Sequence, residues 1–121
     1  MKKEKEPNDL QKRIYNWALD LVRFVYSLSK DSSTRIITNQ LLRSGTSVGA
    51  NYIESQAGSS RKDFANFLYI SLKSANESKY WLALLRDTKK CDQKVLDKLL
   101  GELEEISKIL AASIITIKKK E

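Results

Sequence analysis

The sequence predicts an all-α protein: an antiparallel, up-down-up-down four-helix bundle. Three observations carry that expectation. Proline occurs once, at position 7, and glycine four times in 121 residues, too few turn-formers for a chain of short strands. Apolar residues recur at spacings of three and four through four separate segments. The breaks between those segments are only a few residues long, which forces each helix to run back along the one before it.

The first eight residues alternate Lys and Glu ahead of Pro7 and read as a flexible tail, with Asn8 or Asp9 suited to cap the first helix. Leu10, Ile14, Trp17, Leu21, Phe24 and Leu28 then form an a/d seam, and Ala18, Val22 and Val25 widen it, so that helix is expected over residues 10–29. Lys30-Asp31-Ser32-Ser33 is a polar break with capping residues. A second helix should start near Thr34, carry Ile37, Leu41, Val48 and Tyr52 on one side, and end around Ser55 to Ala57, with Gly58 as its C-terminal stop. Its middle reads Ser44-Gly45-Thr46-Ser47-Val48-Gly49-Ala50, and two readings of it stand. Two interior glycines cost about 1 kcal/mol each relative to alanine, which favours a loop. Gly45 and Gly49 also lie four apart, which in a continuous helix lets a neighbour come close.

Ser60-Arg61-Lys62-Asp63 fits a capping box, so the third helix should run from Arg61 to about Thr88. Between Phe64 and Leu85, 14 of 22 residues are apolar, more than the single stripe a surface helix needs, which implies burial on more than one side. Asp92 can cap the fourth helix, whose seam is Val95, Leu96, Leu99, Leu103, Ile106, Leu110, Ser113 and Ile117. The domain reading is a tail over 1–8, a bundle over 9–118 and a basic C-terminal tail over 119–121. The expected core includes Ile14, Trp17, Leu21, Phe24, Leu41, Val48, Phe67, Leu82, Leu99, Leu103, Ile106 and Leu110.

Chemistry is scarce. Histidine is absent and Cys91 is the only cysteine, which removes disulfide frameworks, His-ligated zinc or di-iron sites and His-dependent triads. No glycine-rich phosphate loop occurs. Glu102, Glu104 and Glu105 fall within one helical turn with no partner base and read as a solvated face, and Cys91 beside Lys89 and Lys90 reads as an inert loop thiol whose pKa those lysines could lower. No catalytic residue, cofactor or metal is expected. No signal-peptide-like apolar stretch opens the chain and its longest apolar run, residues 80–85, is far short of a bilayer span, so the expected location is cytoplasmic.

Asn51 and Glu54 lie three apart in the second helix, and Lys73 and Glu77 four apart in the third. Either they meet as a buried polar network that fixes helix register, between the two helices or across a subunit boundary, or they are exposed pairs of little energetic weight.

Ser44-Gly45-Thr46-Ser47-Val48-Gly49-Ala50-Asn51-Tyr52-x-Glu54, then Arg61-Lys62-Asp63-Phe64, then Ile70-x-Leu72-Lys73-x-Ala75-x-Glu77-x-x-Tyr80-Trp81-Leu82 resemble the signature of the four helix bundle protein family. That family is also called the 23S rRNA intervening sequence proteins and includes the accessory variability determinant of diversity-generating retroelements. The likeness spans about residues 10–115. Ser55, Gly58 and Ser74 depart from the usual pattern, and Ser74, where glutamate is frequent, alters one polar contact. The resemblance implies a ring-shaped homopentamer, with Tyr80 and Trp81 joining the polar set as a structural or interface group. For the retroelement members it further implies nucleic-acid binding and association with a reverse transcriptase.

Net charge is +7. An up-down bundle gathers the start of the first helix, the turn between the second and third, and the end of the fourth at one end. That end collects Lys2, Lys3, Lys5, Lys12, Arg13, Arg61, Lys62, Lys118, Lys119 and Lys120 against five acids, leaving +5. Such a surface suits a phosphate backbone, RNA or DNA, bound with little sequence readout. The competing reading is an oligomeric scaffold or protein-interaction module whose charge only keeps it soluble.

Overall fold

The computed structural model describes residues 8–120. Among them the chain forms four helices and no strand: α1 (Asp9–Tyr26), α2 (Ser32–Gln56), α3 (Arg61–Thr88) and α4 (Gln93–Lys119). At 1.5 Å per residue the 28-residue α3 is a rod of about 40 Å. Each helix packs on two others, α1 and α3 both lying against α2 and α4, and α2 and α3 share the most extensive contact. This is a four-helix bundle around a single core.

Short polar side chains start every helix. Asn8 accepts from the Gln11 amide, Asp31 from Thr34, Ser60 from Asp63, and Asp92 from Lys94 and Val95. Each satisfies an amide that has no partner inside its own helix. α1 ends three residues earlier than its apolar pattern suggests. The Ser27 amide and hydroxyl both turn back to the Phe24 carbonyl, the hydroxyl at 2.6 Å, and Leu28 still packs into the core from beyond the helix end. α4 reaches Lys119 with Lys120 as its cap, so part of the expected basic tail is helical, and the tail residues 1–7 and 121 lie outside the described residues.

Gly58 does not stop α2 in a left-handed turn. The cap is Ala57, in right-handed conformation, and no glycine has positive φ. Only Lys89, closing α3, takes the left-handed conformation among non-glycine residues described.

The glycine-containing middle of α2 is helical throughout. A methyl group added to Gly45 would overlap Leu21 Cδ2, and one on Gly49 would come 3.1 Å from Ile14 Cγ2. The two glycines let α1 lie close against α2. Eleven of the twelve expected core residues are buried, and Phe67 is the exception. It is half-buried, while the adjacent Leu68 is sealed in the core. Trp17 is also buried, and its indole N–H donates to the Leu99 carbonyl of α4 at 2.9 Å, which satisfies the one polar atom of a large core ring.

Candidate nucleic-acid interface

Two hydrogen bonds gather the basic segments. Tyr52, a turn before the end of α2, donates to Asn8 at the start of α1 at 3.1 Å. The Arg61 guanidinium, in the first turn of α3, donates to the Lys120 carbonyl at the end of α4 at 2.8 Å. Lys12, Arg61, Lys62, Lys118, Lys119 and Lys120 are all exposed on this end. The lysines closing α4 suit the negative end of its dipole, and Arg61 also satisfies one of its last carbonyls. Arg61 and Lys62 are different. They occupy the first turn of α3, where the helix dipole disfavours cations, and Asp63 is the only acid in that turn. Local preference does not explain them.

Arg13, next to Lys12, is already paired within the chain. Its guanidinium binds Glu102 of α4 through both Nε, at 3.2 Å, and Nη2. The Glu102 hydrogen bonds and charge push the Arg13 pKa up, and its charge is neutralised within the chain. Lys2, Lys3 and Lys5 lie outside the described residues.

The four-residue polar set does not assemble within the chain. Asn51 donates to the carbonyl and hydroxyl of Ser47, one turn earlier on its own helix, at 2.9 and 2.8 Å. Glu54 is exposed, and Lys73 points outward with its ammonium 5.8 Å from the Tyr69 ring. Glu77 pairs with Arg43 of α2 and accepts from the Trp81 indole at 2.9 Å. Tyr80, exposed, meets Trp81 edge-on at 5.0 Å between centroids. The α2–α3 seam is joined by serines instead. Ser44 bonds Ser78 at 2.8 Å, Ser74 bonds Ser47 at 2.9 Å, and Ser71 donates to the Val48 carbonyl at 2.7 Å. Helices this close leave room for a hydroxyl on one carbon, whereas longer charged side chains must turn outward.

Among the acids of α4, Glu102 holds Arg13, Glu104 pairs with Lys79 at 3.1 Å, and Glu105 is exposed. Burial pushes the Cys91 thiol up, with Asp92 and Asp97 adding to the effect, so the neighbouring lysines do not activate it. Among the described residues no three His, Cys, Asp or Glu side chains cluster as metal ligands, and no helix is long and apolar enough to cross a membrane.

The family model described as "23S rRNA-intervening sequence protein" matches residues 10–112. A crystal structure of a protein of unknown function from the S23 ribosomal protein family of Bacteroides thetaiotaomicron is similar, with 35% identity and a TM-score of 0.79. That likeness covers 87% of this chain and 97% of the other. No curated protein matches.

Proposed function

The chain belongs to the 23S rRNA-intervening sequence protein family, and from that premise we propose that it is a non-catalytic nucleic-acid-binding protein that works as a ring of five copies. The reading takes the bundle as antiparallel, which the Asn8–Tyr52, Arg61–Lys120 and Asp31–Lys90 contacts support. The observation that carries nucleic-acid binding is the pair Arg61 and Lys62, exposed against the dipole of α3 and beside the three lysines that end α4. Five copies around an axis would join these ends into a cationic rim, to which a phosphate backbone binds by releasing counterions.

The test is fluorescence anisotropy of a labelled duplex between 50 and 200 mM salt, with the mass of the assembly taken by light scattering. Changing Arg61, Lys62 and Lys118–Lys120 to glutamine should weaken binding and flatten its salt dependence by about 0.9 for each phosphate no longer neutralised. Absence of wild-type binding at 50 mM salt would refute the reading, and a 13.9 kDa particle would refute the ring.

A second reading, an oligomeric scaffold that binds no nucleic acid, is favoured by one feature. Tyr15, Ala18, Gly49, Ala50 and Ile53 give a groove between α1 and α2 a mainly apolar surface, edged by Gln11, Lys12, Asn16 and Thr46, with Tyr15 and Ile53 more than half exposed. Apolar surface concentrated in this way fits a protein partner.

A further inference from the structure

A second groove lies between the end of α1 and the first half of α2, with a volume of about 600 Å³, in the range of small-ligand sites. Its floor is apolar, from Val22, Val25 and Leu42, and its rim holds Tyr26, Lys30, Arg35, Asn39 and Arg43. No carboxylate lines it. We propose that this groove is a separate binding site for single-stranded nucleic acid, with an unstacked base on the Tyr26 ring and the adjoining phosphates on Lys30, Arg35 and Arg43.

Tyr26, the last residue of α1, is 76% exposed, so its ring presents a face to solvent. Lys30 holds its ammonium 5.8 Å from that ring's centroid. Aromatic faces flanked by cations bind single strands because every base has a stacking face while the charges follow the backbone. A duplex keeps its base faces covered and cannot use Tyr26 in this way.

The charge is free to act. Neither Lys30 nor Arg35 has an ion-pair partner among the described residues. Arg35, Asn39 and Arg43 succeed one another at four-residue intervals on α2, which spreads the two guanidinium groups over about 12 Å of helix. Arg43 also holds Glu77 of α3, so it is the least available of the three cations. Asp31, which follows Lys30 in the chain, is committed elsewhere. It caps Thr34 at 2.9 Å, accepts from Ser29 and Ser33, and approaches Lys90 at 3.7 Å.

The proposal rests on the reading that the chain binds nucleic acid, but it places a single strand away from the Arg61–Lys120 end. It is tested by anisotropy with a labelled 12-nucleotide single-stranded RNA and a duplex of the same length, circular dichroism checking that each variant stays folded. Tyr26→Ala should weaken single-strand binding about 5- to 150-fold and leave duplex binding within about twofold, while Tyr26→Phe keeps the wild-type affinity. Lys30→Gln with Arg35→Gln should reduce the single-strand salt slope by about 1.4, from two phosphate contacts. Wild-type single-strand affinity in both Tyr26→Ala and the double variant would overturn the groove site. If duplex binding still falls in the variants of the basic end, the proposed function survives that failure. Equal losses on duplex and single strand in Tyr26→Ala would overturn base stacking. No binding of either nucleic acid by the wild type would overturn both readings together.

Discussion

Replacing Gly45 with alanine puts the close approach of α1 and α2 to a quantitative test. In isolation the change favours the helix, since alanine is better than glycine by about 1 kcal/mol. In the bundle the new methyl would overlap Leu21 Cδ2 and stand 3.4 and 3.5 Å from two atoms of the Trp17 ring. Leu21 is wholly buried, so its side chain cannot swing into solvent and must repack against its core neighbours or push α1 away. Overpacking of this kind costs about 1–3 kcal/mol. The overlap falls on a core residue with no free space beside it, so the upper part of that range applies and the net loss is about 1–2 kcal/mol. At roughly 4 °C per kcal/mol for a chain of this size, the melting temperature should fall by about 4–8 °C. Two other helical glycines serve as controls. Gly49→Ala meets one side-chain methyl at 3.1 Å, and the two effects should cancel to within about 0.5 kcal/mol. Gly101→Ala meets nothing within 4 Å and should raise the melting temperature by about 4 °C. The assay is thermal unfolding monitored by circular dichroism at 222 nm, at one protein concentration. Gly45→Ala melting at or above the wild type, or Gly101→Ala melting below it, would refute the reasoning.

Two single side chains give further expected outcomes. Asp31 is held well below the ordinary carboxylate range, first by the Thr34 amide it caps and then by the Ser29 hydroxyl. A depressed folded pKa adds stability above the unfolded value that is lost as pH falls toward the folded one. The stability gap between wild type and Asp31→Ala should therefore be constant near neutrality and shrink below about pH 4, and a gap that widens in acid would contradict it. Trp17→Phe removes the N–H that reaches the Leu99 carbonyl and also shrinks the buried ring, so denaturant unfolding should show a loss of about 2–3 kcal/mol, about 1 from the hydrogen bond and the rest from the cavity, with an unchanged m-value.

The capping residues show how much of the fold local sequence can specify. Ser60-Arg61-Lys62-Asp63 leads into a helix whose observed limits are the expected ones, because a cap is a contact over three residues and is written in the chain. Phe67 and Leu68 mark where that legibility fades. α3 is apolar around most of its circumference, so periodicity alone cannot say which of two adjacent apolar positions faces the core. Gly58 marks the end of α2 correctly, since the helix stops at Gln56, but not by adopting a left-handed conformation. Glycine permits the left-handed conformation, and nothing local requires it, since α2 ends in a right-handed turn at Ala57. The polar residues are the least legible. Lys73 and Glu77 look like partners on one helix face, but Glu77 pairs with Arg43, 34 positions away, and Arg13 with Glu102, 89 positions away. The groove at Tyr26 is equally hidden, because its cations come from a loop and a helix that only packing brings beside α1.

The serine seam between α2 and α3 bears on how stability varies with temperature. A bundle sealed only by leucines exposes mainly hydrocarbon when it opens, and the hydration of that hydrocarbon gives unfolding a large heat capacity. Here Ser44, Ser71 and Ser78 are buried along the same contact, and their exposure contributes with the opposite sign. Opening this seam adds less heat capacity than opening an aliphatic one of equal area, which flattens the free-energy curve and widens the range of temperature over which the two central helices stay together.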